Sequence, residues 1–114
     1  MSVAPSQFEL IGKLLDAAAL RHKVTSQNVA NVNTPGYRSS EVSFEEQLQQ
    51  QLSVDAEVPI EVSDTPHLKQ RADGNNVDID LEMGRLDKNA LLYNTYSQVL
   101  ASKLAMMQSA IRGQ

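Results

Sequence analysis

The chain has 114 residues, 41% of them hydrophobic, 21% charged and 4% aromatic, which suffices for one small domain with few large side chains to fill its core. A net charge of −4 disfavours binding to a phosphate backbone as the main activity, so no nucleic-acid partner is expected. The absence of cysteine excludes disulfides, thiolate nucleophiles and thiolate-ligated zinc.

The opening residues, MSVAPSQFELIGKLL, lack a basic leader followed by an apolar run and a small-residue cleavage site, so no cleaved signal peptide is expected. No stretch of 18 uncharged apolar residues occurs, which argues against a spanning helix. A first helix is predicted from about Ser6 to Val32, with Phe8, Ile11, Leu15, Ala18, His22, Thr25, Val29 and Val32 spaced alternately by three and four. Leu10, Leu14, Ala17 and Val24 widen its apolar face. A face that broad suits a bundle in which each helix meets several others. His22 is expected on the seam as a packed or partly wet polar residue.

The helix pattern is stopped by QNVANVNTPGYR. Pro35 presets φ for the second position of a tight turn and Gly36 accepts positive φ at the third, so residues 34–37 are predicted to form a type II turn. Thr34, preceding proline, is pushed out of the helical region. Asn31 and Asn33 are suited to the left-handed conformation and to bonding the loose carbonyls at the helix end. The stop is expected to throw Tyr37 outward in a set direction.

The connector that follows is polar and irregular. A short helix is predicted around residues 44–52, with Ser43 as cap and Glu46 three residues on, the pattern of a capping box. EVPIEV alternates as an edge strand would, although Pro59 removes a ladder donor. Beyond it Pro66 and Gly74 act as breakers and a loop is expected.

The C-terminal third carries the strongest periodicity. Ile79, Met83, Leu86, Ala90, Tyr93, Ser97, Leu100, Leu104, Met107 and Ile111 follow one another at spacings of four and three, a heptad seam. Leu92, Tyr96, Val99 and Met106 add a second stripe. No proline lies between Asp80 and Arg112, so a helix of about 50 Å is available. Asn76 or Asp78 is the expected N-cap, Asp80 and Glu82 oppose the positive end of the helix dipole, and Arg112 and Gly113 mark its end. Gly84 costs about 1 kcal/mol relative to alanine, too little to break so long a seam.

Sites for chemistry are sparse. Asp73, Asn75, Asp78 and Asp80 crowd oxygen ligands together, but an EF-hand loop starting at Asp73 would need glycine at Asp78 and its bidentate acid at Gly84. Helix capping accounts for these side chains instead. The two imidazoles, His22 and His67, stand in separate segments without a nucleophile pattern. The five glycines form no phosphate loop, and the Met106 and Met107 pair is expected to fill core gaps. Neither catalytic nor metal residues are assigned, and neither a cofactor nor a small-molecule substrate is expected.

Two motifs carry a resemblance. Asn28, Ala30, Asn31, Thr34, Pro35, Gly36 and Tyr37 match the N-x-A-N-x-x-T-P-G-Y signature shared by bacterial flagellar rod and hook proteins. GNNVDIDLEMGRLDKNALLYNTYSQVLASKLAMMQSAIRG, residues 74–113, resembles the C-terminal region of the FlgB family of proximal rod proteins, in which a Gly-Asn-x-Val-Asp-x-Asp segment opens the last helix.

This resemblance implies a mainly α fold in which long N- and C-terminal helices pack as a coiled-coil-like layer. The expected division is a helix and turn over 1–37, a connector over 38–75 with a short helix or edge strand, and the heptad helix over 76–114, with both helices in one domain. It also implies a structural subunit, not an enzyme, exported through the flagellar type III apparatus and polymerising with itself and other rod proteins. The resulting hollow drive shaft transmits torque across the periplasmic space, next to the membrane ring and the export gate. The implied assembly surface comprises Ile11, Leu15, Val29, Ile79, Met83, Leu86, Tyr93, Leu100, Leu104, Met107 and Ile111. The helix entry comprises Asn76, Asp78 and Asp80. Seam burial within one hairpin falls short of the entropy of ordering so long a helix, so the free subunit is expected to be largely disordered or frayed at its ends and to become helical on assembly. A helical adaptor or export chaperone would explain the heptads equally well, and a neighbouring rod subunit would share the first motif.

Overall fold

A computed structural model describes residues 7–50 and 58–113. Helix α1 (Gln7–Ala30) leads to strand β1 (Ser40–Ser43) and the short helix α2 (Glu45–Gln50), followed by strand β2 (Glu61–Asp64) and helix α3 (Ile79–Arg112). The Cα trace extends 64 × 31 × 15 Å. The predicted mainly α architecture is present. Ser6 and Leu52, the outer limits of two predicted helices, lie outside the described residues.

Helices α1 and α3 lie side by side and antiparallel: Asn28 meets Glu82 near one end of the pair, and Arg21 meets Asn89 further along. Strands β1 and β2 make a two-stranded antiparallel ladder in the register Ser40↔Asp64, Val42↔Val62 and Ser43↔Glu61. Pro59, which has no N–H to give, stays just outside that ladder. The strand thus takes the last two residues of the EVPIEV segment, Glu61 and Val62, and runs on to Asp64.

Two sides of α1 are covered by different elements. Ala17 packs with Phe44 and Val58, and Leu14, Leu48 and Ile60 close over that cluster. Phe44, only 1% exposed, is the largest side chain in it, and its burial contributes about 3 kcal/mol. The connector is therefore anchored to α1 by a small apolar core. Ala18, Arg21, Thr25 and Asn28, one step round the helix, belong to the side that meets α3.

Local signals set the helix ends. Asp78 caps α3 from an extended backbone (φ −103°, ψ 107°), its Oδ1 accepting from Leu81 N at 3.2 Å. At the other end Gly113 adopts φ 74° and its N–H returns to Ala110 O. Gly84 leaves α3 unbroken. Helix α1 ends at Ala30 and tightens through successive three-residue bonds, Asn31 N to Asn28 O, Val32 N to Val29 O and Thr34 N to Asn31 O.

Several expectations are corrected. Among the described residues no asparagine takes positive φ: Asn31 stays right-handed, and its side-chain amide bonds Gln27 O at 2.8 Å. Ser43 lies two residues before α2, and its hydroxyl accepts from Gln47 Nε2 instead of opening a capping box. His22 is exposed, so of the packed and the partly wet placements only the packed one is excluded. Met106 and Met107 are 62% and 45% exposed, so they fill no gap in this chain.

Candidate functional site

The turn closes as its residues dictate, with Gly36 at φ 74° and Tyr37 N donating to Thr34 O at 3.2 Å. Its surroundings are less obvious. Asn28, on the last turn of α1, is fully buried and uses its whole amide. Its Oδ1 accepts from Ser40 N at 3.1 Å and from Tyr37 OH at 3.2 Å, while its Nδ2 donates to Ser40 O at 2.8 Å and to Glu82 Oε2 at 3.1 Å. One side chain thereby joins α1, the turn, β1 and α3. The Tyr37 hydroxyl titrates above the ordinary tyrosine value because burial and then the Glu82 charge oppose its ionisation.

The loop before α3 docks onto the same turn. Asn75 is buried, and its Nδ2 reaches Asn31 O at 2.9 Å, Val32 O at 3.2 Å and Thr34 O at 2.8 Å. These carbonyls lie just past the end of α1, and those of Asn31 and Thr34 also accept from Thr34 N and Tyr37 N. A side chain more than forty positions away in sequence thus ties down the exit from α1. The Arg71 guanidinium also bonds Val32 O. Asn76 accepts from Ser39 N at 2.6 Å and donates to Thr65 O at 3.1 Å, and its backbone N–H bonds Tyr37 O. Asp73 O accepts from Gly36 N at 2.8 Å. Gly74 sits at φ +85°, where a Cβ would stand 3.4 Å from the Gly36 Cα. The two sequence motifs are the halves of one joint.

From this corner a row of polar groups runs along the α1 side of α3. Glu82, wholly buried, accepts from Asn28 and from Arg85 Nη1 at 3.0 Å. Arg85 also reaches Glu41 at 3.2 Å. Asn89, 3% exposed, donates to Ala18 O at 2.8 Å and accepts from Arg21 Nη1 at 3.1 Å. Arg21 forks onto both oxygens of Glu45, and Tyr96 OH donates to Glu45 Oε1 at 3.0 Å. Burial opposes the Glu45 charge, but the Arg21 bonds and charge, a backbone N–H and the Tyr96 hydroxyl together hold its carboxyl below the usual range. Tyr96 is pushed up to about 12 by burial and by the neighbouring Glu45. An open cleft of about 370 Å³ passes beside these groups, with Lys88, Glu46 and Leu92 also on its walls. Among the described residues no cluster of three or more acidic, histidine or cysteine side chains is placed to hold a metal.

The heptad seam of α3 points elsewhere. Ile79, Met83, Tyr93, Leu104, Met107 and Ile111 are 40%, 46%, 45%, 50%, 45% and 80% exposed, and Leu86 and Leu100 are half-buried. Its partners on α1 face inward instead: Ile11 is buried, and Leu15 and Val29 are half-buried. The residues expected to form one assembly surface therefore divide, the α1 members into the chain's own packing and most α3 members outward.

The turn and helix-entry residues, by contrast, converge. Asn28, Asn31, Gly36, Tyr37 and Asn76 all belong to the joint, with Ala30, Thr34 and Pro35 exposed on its outside and Asp78 and Asp80 exposed at the α3 entry. Of the two candidate caps Asp78 performs that task, while Asn76 is a clamp. Sequence reasoning missed Asn75, Glu82, Asn89 and the Arg21–Glu45–Tyr96 chain. One signal for them was visible: Glu82, Asn89, Tyr96 and Lys103 recur every seventh residue.

Comparison with known proteins agrees with the placement of these motifs. A family model described as flagella basal body rod protein matches residues 15–38, the last two thirds of α1 through the turn. Over nearly the whole chain there is similarity to the flagellar basal body rod protein FlgB of Bacillus subtilis, 27% identical over 129 residues covering 99% of this chain and 98% of that protein. The FlgB proteins of Borrelia hermsii (26% over 136 residues, 98% and 100% covered) and Aeromonas hydrophila (28% over 116 residues, 88% of each) are similar in the same way. Both motifs, the joint they build and end-to-end similarity to these proteins thus agree: the chain is similar to the FlgB proteins of the flagellar basal body rod.

Proposed function

We propose that this chain is a structural subunit of the flagellar basal body rod, built into the proximal part of a hollow shaft that carries torque for motility. The observation that carries this is the face α3 leaves open. A helix with this much apolar side chain in water is half of an interface. The antiparallel hairpin gives that face a fixed direction, and the joint gives the connector a fixed exit. A subunit that must stack in register needs both. The role requires no chemical step.

In this account the outward residues Met83, Tyr93, Leu104, Met107 and Ile111 meet helices of neighbouring subunits, both further copies of this chain and other rod proteins. The membrane ring and the export-gate proteins lie at the base of the same shaft, which crosses the periplasmic space and is reached through the type III export apparatus. Beyond Leu100 nearly every side chain of α3 is exposed and Lys103 is the sole charge before Arg112, so this end orders firmly only on assembly. A cytosolic adaptor or chaperone would also use an apolar helix, but the relatives named above are rod proteins.

The test is incorporation. Leu104→Asp places a charge on the outward face and is expected to leave subunit synthesis unchanged while removing the protein from purified basal bodies. Incorporation at the wild-type level would overturn the assignment of this face.

A further inference from the structure

The two outer edges of the small sheet are finished differently. Asn28 closes the edge of β1, its side-chain amide accepting from Ser40 N and donating to Ser40 O as a neighbouring strand would. Because those groups turn away from β2, Ser40↔Asp64 is a pair without mutual hydrogen bonds, and by the alternation of an antiparallel ladder so is Val42↔Val62. Val62 and Asp64 therefore direct their own N–H and C=O groups outward, where no group among the described residues bonds them. All four side chains of β2 are exposed as well, Val62 to 51%, while Val42 opposite it is buried. A strand held by a single neighbour is marginal, and an open edge of this kind is a template for another strand.

We propose that the β2 edge takes the stretch Lys69–Arg71 of a second copy, so that the connectors of successive subunits join head to tail in the shaft. This rests on the rod role above, and names a copy-to-copy contact outside the helices. Charge selects the occupant. Glu61 and Asp64 stand at the two ends of β2, so pairing with the identical edge would gather both carboxylates of each strand into one short ladder, where like charges repel. The edge thus rejects its twin and suits a cationic segment. Lys69, Gln70 and Arg71 are exposed, the Lys69 ammonium has no partner among the described residues, and the backbone groups of Lys69 and Gln70 are equally unused. The stretch is also held in place, since Arg71 N donates to Asn75 O and the Arg71 guanidinium bonds Val32 O. Donor surface and acceptor surface are different parts of one connector. The contact is therefore heterologous and repeats from copy to copy instead of closing as a pair.

With no native cysteine in the sequence, introduced thiols report this contact inside rods. In cells making two forms of the full chain, one with Val62→Cys and one with Lys69→Cys, basal bodies would be purified and treated with a short bismaleimide. A product of twice the subunit mass is expected in at least about tenfold excess over that from rods holding either form alone. Rods that contain both forms and yield no such product overturn the proposal. So does a dimer from Val62→Cys alone, which means that identical edges pair, and so does a product joining Val62→Cys to a different rod protein. Charge exchange gives a second reading. Glu61→Lys and Lys69→Glu are each expected to lower the amount of chain in basal bodies about tenfold, and the two together to restore it to within about twofold. Single changes without effect, or a combination no better than either, overturn the proposal, and this comparison decides if the thiol forms stay out of rods. Failure of the contact in rods that hold the chain leaves the rod role standing, whereas absence of the unaltered chain from basal bodies ends that role by itself.

Discussion

The corner end and the far end of α3 follow opposite rules. Around Asn28, Asn75, Asn76 and Glu82 almost every polar atom has a partner and the side chains are buried. From Leu104 onward every described residue of α3 is exposed, and most are apolar or small. The first region is specified by directional bonds within one chain, the second by an affinity that the chain alone does not satisfy. A subunit divided this way has a defined shape at its corner and an open contact at its tip.

The contrast can be broken most severely at Asn28. Asn28→Leu strands Ser40 N and O, the Tyr37 hydroxyl and Glu82 together, and is expected to cost about 3 kcal/mol or more. The urea midpoint of the isolated chain would measure it, and a loss below about 1 kcal/mol would show the hub to be dispensable. Glycine substitutions should do less. Gly74→Ala must hold φ +85° with its methyl against Gly36, and Gly36→Val must hold φ +74°. Each is expected to lose about 1–2 kcal/mol by the same assay, and Gly36→Val is expected to lower rod assembly more than subunit synthesis.

Titration sharpens the contrast further, because both shifted groups named on the connector side bind α2 to the helix pair. Glu45 is lowered in the fold, so its contribution is present above the unfolded glutamate value and is lost as pH falls through the lower folded value. Tyr96 is raised to about 12, so its contribution is present below the unfolded value near 10 and disappears as pH rises toward 12. Tyr96→Phe should reduce the alkaline loss in a pH series of melting temperatures, leaving the part owed to Tyr37, and should keep most of the acid one, which Arg21 sustains. The smallest effect on the fold is expected at the tip, where Leu104→Asp should change the stability of the isolated chain by no more than about 0.5 kcal/mol.

Much of this molecule was legible residue by residue. Pro35 and Gly36 announced the turn, Asp78 and Gly113 announced the ends of α3, and an uninterrupted heptad announced its length. Those signals are local, because φ preference and capping act within a few residues. The joint was not legible as a joint, since Asn75 bonds carbonyls of residues 31–34 across more than forty positions and nothing in either segment names the other. The rotation of α3 was not legible for a different reason. Counting apolar residues at heptad spacing finds a stripe but says nothing about which neighbour it meets. Glu82 and Asn89 at the same spacing carry that information.

Native-state hydrogen exchange on the isolated chain tests the divided architecture most directly. Amides of the joint, including Ser39, Asn76 and Val77, whose N–H groups bond buried side chains or backbone, are predicted to exchange at least about a hundredfold more slowly than those of residues 104–112. Equal protection along the whole of α3, or faster exchange at the joint than at the tip, would contradict it.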